Sequence, residues 1–434
     1  MQTTLETLGQ LERRLHVAVP VEQIEDEVQK RLARLAKTAK VAGFRPGKVP
    51  LKMITQQYGP QVRSDVISDT VQSSFNDAIR EKNLRIAGQP RIEAKQAANN
   101  GQFEFSAFFE VYPEVKIGDL STVRIERPVA SVEPQDVEHT IDILRRQRVR
   151  YENVDRPARS GDRAVVDFTG RIDGVEFPGG QAKDYAIVLG EGRMLPAFDA
   201  ALSGMRAGEH KSFDLTFPAD YHGKEVAGRS ARFELALHSV AEPHLPEVDA
   251  EFAKAFGITS GNVDDLRAEI KANLGTELQR KIISTVKEQV MRALRSSAEV
   301  VIPKSLVESE AQALAARAAA ELQNRGMKPE GIDLSPESLR PQAEERVALG
   351  LILSELVRTQ QLQARPEQVR LLVTEAAQSY EQPDAVVRWH YEQADRLSEF
   401  ELAAVERNVV DWALQQAQVV DRAMSFSDLM EPTA

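Results

Sequence analysis

Cysteine is absent from this 434-residue chain. Its absence excludes disulfide bonds, thiol catalysis and cysteine-ligated zinc, and it fits a reducing compartment. Histidine is scarce as well, because the chain has only seven and none are paired at a ligand spacing such as HxxxH. The spacing of the histidines therefore predicts no metal site.

Long apolar runs and the common nucleotide-binding motifs are also missing. No apolar run reaches the 18 residues expected of a membrane-spanning helix. The start, MQTTLETLGQLERR, has no apolar segment behind a basic one, so we expect no secretory signal and a cytoplasmic location. There is no Walker loop, no GxGxxG after a strand and no GxSxG. We therefore expect no cofactor and no nucleotide, dinucleotide or serine-hydrolase chemistry.

Positive charge is in short supply overall, yet it is concentrated in one segment. The net charge is −11, but residues 28–63 carry nine cations and no acid. These cations are Lys30, Arg31, Arg34, Lys37, Lys40, Arg45, Lys48, Lys52 and Arg63. Residues 246–434, by contrast, hold 21 Lys and Arg against 31 Asp and Glu. A small basic face on an acidic molecule predicts one docking site for an anionic partner and argues against general nucleic-acid binding.

The length indicates several domains, and the first region, 1–112, mixes strands with helices. RRLHVAVPV alternates as a strand, and a helix is expected from Pro20 to about Ala42–Gly43. PLKMITQQYG and PQVRSDVISDTVQSSFNDAIREKNL predict two further helices. QFEFSAFFEVYPEV alternates as a closing strand.

The remaining regions differ in their predicted secondary structure. Residues 113–149 are typical of a connector with one helix, whose apolar stripe holds Val137, Ile141 and Leu144. Residues 150–245 hold short strands and one helix, which predicts a curled antiparallel sheet wrapped on a helix. Residues 246–434 are almost wholly helical, with long helices near 261–297 and 303–325 and a loop at 324–342. The fold class is therefore multidomain α+β, with an all-α C-terminal domain.

The third region carries several separated motifs in a recognisable order. A strand that ends in DFTG and a hairpin with DG at its tip are predicted from VVDFTGRIDGVEF. One helix is predicted within LGEGRMLPAFDAALSGMRAGE, with an LG turn before it and a GMxxGE turn after it. This series resembles the FKBP family of prolyl isomerases. The resemblance implies an apolar catalytic pocket lined by Phe168, Phe177, Tyr185, Met194, Leu195, Phe198, Tyr221 and Phe233.

Such a pocket suits the chemistry of X–Pro isomerisation. Rotation about the X–Pro bond faces a barrier of roughly 18–20 kcal/mol, because the twisted state loses amide resonance. The twisted imide is less polar than the planar one, so an apolar, water-poor pocket favours it without a nucleophile or a metal. From the residues alone, the alternative is that these aromatics are only the core of a small barrel.

Two positions depart from the FKBP pattern. Pro178 follows Phe177, where drug-binding members of the family usually carry Asp. Phe198 takes the floor position, which is often Trp. Both departures argue against tight binding of the family's macrolide ligands, and neither removes the apolar pocket.

A second resemblance covers the whole chain. Gly43-Phe44-Arg45-Pro46-Gly47-Lys48 matches the G-F-R-x-G-K signature of trigger factor, a family of bacterial ribosome-associated chaperones. VPLKMITQQYG, FEVYPEV and GLILSEL also resemble that family. The order of domains is the same: a ribosome-docking domain at 1–112, a connector at 113–149, an FKBP-like domain at 150–245 and a helical chaperone domain at 246–434.

The second resemblance implies an ATP-independent chaperone that binds ribosomal protein and RNA near the exit tunnel of the ribosome. It further implies that the chain cradles nascent and unfolded polypeptides. It also implies help in folding new and exported proteins, an elongated helical domain with arms, and a possible homodimer off the ribosome. In the loop, Arg45 and Lys48 can reach phosphates or acidic side chains, and Phe44 can enter an apolar crevice. The nearby Lys30, Arg31, Arg34, Lys37 and Lys40 would widen the electrostatic footprint.

Other assignments stay open at this stage. The chain could be a free-standing isomerase whose flanks add stability or dimerise, or a helical adaptor with a relict FKBP-like module. The loop at 41–50 could be an ordinary Gly/Pro turn beside a solvated basic face. We expect Trp389, His390 and Tyr391 to pack within the helical body. Met291, Met327 and Met424 could supply adaptable client contacts, although core packing is the simpler role for each.

Overall fold

The structure is a computed structural model that describes residues 2–39, 44, 49–94, 101–192, 194–221, 223–327, 333–378 and 380–431. The chain divides into two compact units. The first comprises Met1–Arg127 and Ser284–Asp421, and the second comprises Pro128–Ile283 and Arg422–Ala434. Of the described helices, none combines the length and the apolar character that crossing a membrane requires.

The N-terminal part of the first unit is a four-stranded antiparallel sheet in the order β1-β2-β4-β3, with two helices. The elements are β1 (Gln2–Thr7), β2 (Glu12–Pro20), α1 (Val21–Thr38), α2 (Leu51–Glu81), β3 (Ile86–Ala94), β4 (Gln102–Val111), β5 (Lys116–Ile117) and β6 (Arg124–Val129). The alternation in β2 and β4 places Leu15, Val17 and Phe105 on one face, where they pack against Phe75 of α2. The strands predicted at both ends of this region are confirmed.

Helix α2 corrects one sequence prediction, because the two helices expected on either side of Pro60 are a single helix of 31 residues. A proline inside a helix removes one backbone hydrogen bond and costs about 3 kcal/mol. Here the apolar stripe of α2 runs on past Pro60: Ile54 and Val66 lie in one buried cluster with α1, and Tyr58 and Val62 pack against it. Burial on both sides of the proline offsets the lost hydrogen bond.

The second unit contains the FKBP-like region. Its elements are α3 (Pro134–Gln147), β7 (Arg150–Asn153), β8 (Arg163–Ile172), β9 (Val175–Val188), α4 (Pro196–Leu202), β10 (His210–Thr216), β11 (Ser230–His244) and α5 (Ala250–Ala255). The sheet has the order β10-β11-β8-β9, with β7 paired to β11, and all pairings are antiparallel. One face of the sheet and α4 enclose a single apolar core. The predicted curled sheet on one helix is confirmed.

Helix α3, expected within the connector, is anchored in the second unit. Val137 and Ile141 are buried against Phe252, Leu266 and Ile270. The i, i+4 spacing that predicted the apolar stripe is therefore the spacing of the contacts. The Glu133 carboxylate accepts a hydrogen bond from the backbone N–H of Asp136, and the Asp136 carboxylate accepts one from the backbone N–H of Glu133 at 2.8 Å, so a capping box fixes the start of the helix.

The rest of the chain is helical, as predicted. Its elements are α6 (Val263–Ser297), β12 (Ala298–Glu299), α7 (Lys304–Asn324), α8 (Arg340–Gln360), α9 (Pro366–Ala377), α10 (Pro383–Tyr391), a 3-10 helix (Ala394–Leu397), α11 (Ser398–Gln416), β13 (Gln418–Ala423) and α12 (Phe426–Met430). Helices α6 and α7 match the two long helices predicted near 261–297 and 303–325. The loop predicted at 324–342 is confirmed for its described residues, apart from its first residue, which belongs to α7, and its last three, which belong to α8.

Candidate functional site

Three phenylalanine rings meet on the inner face of the FKBP-like sheet. Alternation in β8 turns Phe168 inward, β11 supplies Phe233, and α4 supplies Phe198 from the opposite side. The ring centroids of Phe198 and Phe233 lie 4.8 Å apart, and those of Phe168 and Phe198 lie 5.5 Å apart, in edge-to-face arrangements. All three side chains are buried. They form the floor of an aromatic cluster that is favoured by both ring geometry and apolar burial.

The other predicted pocket residues surround this floor. The Phe177 ring lies 6.1 Å from that of Phe233, and the Tyr185 ring meets Phe168 edge-on at 5.9 Å. Tyr221 connects to the cluster through Phe217, at 4.9 Å. Met194 and Leu195 are partly buried and pack against the same core. The structure thus brings all eight predicted residues together.

Exposure separates the floor from the rim. Phe168, Phe198 and Phe233 are between 3% and 8% exposed, whereas Tyr185 is 44% exposed. Phe177, Met194, Leu195 and Tyr221 are intermediate. A proline side chain that enters beside Tyr185 would contact the side chains of the rim first and the three phenylalanine rings of the floor beneath them. Pro178 is exposed and supplies neither a carboxylate nor a backbone N–H.

Two residues of the cluster were missed by the sequence analysis, Phe213 of β10 and Phe217 directly after that strand. The Phe213 ring stacks on Phe233 at 5.7 Å and meets Phe198 at 5.1 Å. Phe217 lies 5.9 Å from Phe177. The signal was available, because Phe213, Leu215 and Phe217 alternate in HKSFDLTF and so share one face of a strand.

A glycine makes room for the central ring. In the strand register, Phe213, Phe233 and Gly170 lie opposite one another across β10, β11 and β8. A Cβ atom at Gly170 would stand 2.4 Å from the Phe233 ring. The glycine of the DFTG motif is therefore required by close packing of this ring against β8, and not by an unusual backbone angle.

An ion pair between the partly buried Arg156 and the buried Asp162 holds the loop that precedes β8. Arg156 donates two hydrogen bonds to the Asp162 carboxylate, at 2.7 and 2.9 Å, and a third to Glu242 at 3.0 Å. Burial works to raise the pKa of Asp162, but the Arg156 hydrogen bonds and the Arg159 backbone N–H outweigh it and hold the pKa below its usual value. The Leu189 N–H donates to the Asp162 carbonyl at 3.0 Å, so this pair also fixes the LG turn before α4.

The predicted docking loop is described at one residue only. Phe44 is 37% exposed. Gly43, Arg45, Pro46, Gly47 and Lys48 lie outside the described residues, as does Lys40. The end predicted for the helix α1, near Ala42–Gly43, also falls there, while the described helix ends at Thr38.

The basic face beside the loop is partly neutralised by acids from outside residues 28–63. Arg31 pairs with Asp69 at 2.6 Å, Arg63 with Glu25 at 2.7 Å, and Lys30 with Glu27 at 3.8 Å. Arg34, Lys37 and Lys52 have no ion-pair partner among the residues that the structure describes. These three cations are therefore the ones that carry the unbalanced positive charge of the described face.

A second apolar surface lies on the helical part of the first unit. Tyr380, Ala385, Val386 and Trp389 line an open depression on α10 and the turn before it, here called the α10 patch. Tyr380 is 59% and Trp389 is 50% exposed. The expectation that Trp389 and Tyr391 pack within the helical body was wrong. Trp389 instead stacks under the Arg396 guanidinium at 3.9 Å, and only His390 packs inward, against Phe400 at 5.0 Å.

The sheet, the helix α4 and the aromatic cluster define a domain of the FKBP type. Family models agree: the FKBP-type peptidyl-prolyl cis-trans isomerase family matches residues 154–238, and the Bacterial trigger factor protein (TF) family and its C-terminus match residues 1–144 and 262–415. Curated relatives match over the whole length. The trigger factors of Aromatoleum aromaticum and Nitrosospira multiformis are 50% and 51% identical over 430 and 432 residues, and that of Dechloromonas aromatica is 50% identical over 430. Each match covers 99% of both chains.

The chain belongs to the bacterial trigger factor family. Its predicted fold class, its prolyl isomerase activity and its function as a trigger factor chaperone with an FKBP-type domain are confirmed. The alternative of an adaptor with a relict FKBP-like module is therefore disfavoured.

Proposed function

We propose that this chain is an ATP-independent chaperone of the cytoplasm that docks on the ribosome through Gly43–Lys48, holds nascent and unfolded polypeptides on its helical part, and isomerises their X–Pro bonds in the aromatic cluster. The observation that carries the proposal is the exposed Phe44 within the G-F-R-x-G-K signature, beside a helix that presents unpaired cations. The functional division is 1–112 for docking, 113–149 as connector, 150–245 for isomerisation and 246–434 for client holding. A homodimer is a further proposal, for the chain off the ribosome.

Docking would work in two stages. Arg45 and Lys48, with Arg34, Lys37 and Lys52 nearby in sequence, would draw the chain to the phosphates of ribosomal RNA and the acids of a ribosomal protein near the exit tunnel. Phe44 would then enter an apolar crevice of that protein, where a buried aromatic contributes most of its binding energy. The charges set the rate and register, and the phenylalanine sets the specificity.

The eight predicted pocket residues would act as one apolar site. Phe168, Phe198 and Phe233 form a water-poor floor, and Tyr185, Phe177 and Tyr221 border the entrance. A proline ring that packs on this floor carries its imide into surroundings with few hydrogen-bond donors or acceptors. The planar imide loses more solvation there than the twisted one, so the barrier to rotation falls.

Client holding is supported by the α10 patch. Large apolar side chains that are half exposed and adjacent are uncommon on a monomeric surface and mark a binding surface. Leu371 and Leu402, on the neighbouring helices α9 and α11, are 51% and 59% exposed and add to the apolar character of this part of the chain. An open surface of this kind holds unfolded segments weakly and releases them without a nucleotide.

The docking proposal is tested by sedimentation with purified ribosomes over a salt series. The variant carries Phe44→Ala, Arg45→Ala and Lys48→Ala together. We expect the parent chain to sediment with ribosomes at about 0.15 M salt and to dissociate as salt rises, because charges contribute to the contact. The variant should remain in the supernatant and keep its isomerase activity on a short peptide.

A matched control removes one aromatic and two cations elsewhere, through Tyr380→Ala, Arg370→Ala and Arg388→Ala. It should sediment like the parent chain with empty ribosomes. Retention of the loop variant on ribosomes at about 0.15 M salt would overturn the assignment of the docking loop.

A further inference from the structure

Three side chains of types that can ligate a metal converge on the outer face of the FKBP-like sheet, which faces away from the aromatic cluster. They are Asp167, Asp184 and His238, here called the Asp167 cluster, and one ligand atom of each lies within 4.8 Å of the others. The His238 Nε2 atom stands 3.0 Å from Asp167 Oδ2. Asp167 is half-buried, and the other two side chains are exposed. In the part of the chain that the structure describes, no other group of three such side chains is this close.

Two strand irregularities create this convergence. In β9, Lys183 and Asp184 together face Asp167, because the register slips between Phe168 and Val166. In β11, His238 is the extra residue between Leu237 and Ser239. A β-bulge re-aims the side chain at the inserted position, so the two bulges turn an Asp and a His toward the same residue of the strand between them.

The backbone of Asp184 is part of the arrangement. Its φ of +49° lies in the left-handed region, which Asp and Asn tolerate better than most residues. In this conformation the Asp184 N–H donates to Asp167 Oδ1 at 2.7 Å. That hydrogen bond and the His238 Nε2 atom, 3.0 Å from Asp167 Oδ2, fix the Asp167 carboxylate between the two other side chains.

An open depression adjoins the cluster. Across the sheet, His210, Ala236 and Asp167 lie opposite one another on β10, β11 and β8. The small Ala236 side chain leaves a hollow between the two larger residues, and the hollow is lined by Asp167, His210, Ser212 and Glu234 among others. A cation held by the cluster would have space there for coordinated water.

We propose that the Asp167 cluster is a binding site for a divalent first-row transition cation of the Zn²⁺ class. Two carboxylate oxygens and one imidazole nitrogen form the ligand set, and water completes the coordination. Imidazole nitrogen suits zinc, nickel, copper and iron, whereas magnesium and calcium prefer oxygen ligands alone. Two carboxylates balance the charge of the ion.

Two ligands of the proposed metal site are sequence neighbours of residues in the proposed isomerase pocket. Asp167 precedes Phe168, and Asp184 precedes Tyr185, so a bound ion would cross-link the two strands that carry these rings. The spacing of histidines along the chain could not indicate such a site, because its ligands come from three different strands.

Isothermal titration of the metal-free full-length chain with ZnCl₂ tests the proposal. We expect one saturable equivalent in the parent chain. Asp184→Asn, which keeps the left-handed backbone, and His238→Gln should each weaken binding at least about tenfold, because each removes one of three protein ligands. MgCl₂ should give no saturable binding at the same concentrations.

His244→Gln is the matched control. His244 also lies between two carboxylates, with Nε2 at 3.3 Å from Glu242 and 3.6 Å from Glu152, but these three do not form a converging trio. Removal of the His244 imidazole should change zinc affinity by no more than about twofold, which is much less than the loss of about tenfold expected when a ligand is removed. Absence of a saturable equivalent, unchanged binding in both Asp184→Asn and His238→Gln, or an equal loss in His244→Gln would each overturn the proposal.

Discussion

At the floor of the aromatic cluster, the identity of single side chains is set by packing. The Phe198 ring has Phe168, Phe213 and Phe233 within 5.5 Å between centroids. A larger indole at this position would overpack the site unless a neighbouring ring moved. Phe198 is therefore matched to Phe213, which reaches the same floor from β10. The expectation of weak macrolide binding, based on Phe198 and Pro178, stays a prediction.

Asp162 gives a residue-scale prediction about pH. Its folded-state pKa is lowered by Arg156 and by the Arg159 backbone, so its contribution to stability is present above the unfolded pKa of about 3.9 and is lost as pH falls through the folded pKa. Asp162→Asn should lower the free energy of unfolding of the isomerase region by about 2 kcal/mol at pH 7, since it removes charge-assisted hydrogen bonds. At a pH below the folded pKa the difference should vanish.

The ¹³C-methyl NMR signals of Met194 and Met205 report this region alone, because Met205 lies in its core and Met194 packs against it. Urea titrations of the full-length parent and variant at neutral and strongly acidic pH give the two differences. An equal destabilisation at both pH values would mean that the carboxylate charge of Asp162 is not what holds the loop.

At the scale of elements, a strand of the N-terminal sheet caps a helix far away in sequence. The Glu110 carboxylate of β4 accepts hydrogen bonds from the first two backbone N–H groups of α7, those of Lys304 at 3.1 Å and Ser305 at 2.7 Å, and from Ser305 Oγ at 2.6 Å. The N-cap residue Pro303 has no side chain that could do this. Gly88 permits the approach, because a Cβ there would stand 2.7 Å from the Ser305 side chain.

Glu110→Ala should loosen this junction. The loss of a carboxylate at a helix N-terminus costs about 1–2 kcal/mol, which corresponds to roughly tenfold faster amide exchange of the first turn of α7. Hydrogen-exchange mass spectrometry of peptides covering 304–311 and 86–94 measures it. Glu93→Ala, which removes an exposed acid paired with Arg91 in the same sheet, should leave both peptides unchanged. Unchanged exchange in Glu110→Ala would show that the cap does not stabilise the junction.

Elements with local signals were predictable from the sequence, and elements that depend on distant contacts were not. Periodicity identified α1, β2, β4, α6 and α7, because each buries one face with a regular spacing. Pro60 suggested a break, since the sequence cannot show that α1 would cover both halves of α2. The family motifs indicated eight side chains that the structure brings together, but their role in catalysis stays a prediction. The Glu110 cap and the two bulges of the Asp167 cluster arise from strand pairing that spans many residues. Trp389 is a large apolar side chain of the kind expected in a core, yet it lies half exposed, because none of the residues of α10 is buried.

At the scale of the whole molecule, the proposed function gives two surfaces different tasks. In the proposed function the aromatic cluster takes one proline at a time, so a short peptide is a sufficient substrate. The α10 patch offers open apolar area, which only a longer unfolded chain can occupy. Binding a client at a second surface raises the local concentration of its prolines near the chain, so the patch should matter for protein substrates and not for short peptides.

The most direct test compares the isomerase activity of full-length variants on a short X–Pro peptide and on an unfolded protein whose refolding is limited by proline isomerisation. Tyr185→Ala should lower kcat/KM in both assays by about tenfold, because the pocket loses a ring at its entrance. Tyr380→Ala with Trp389→Ala should keep the peptide activity and lose about tenfold on the protein through a raised KM. Ile283→Ala with Val301→Ala, an exposed apolar pair elsewhere, should match the parent chain in both. Full activity of the Tyr380/Trp389 variant on the protein substrate, or of Tyr185→Ala on the peptide, would contradict the account.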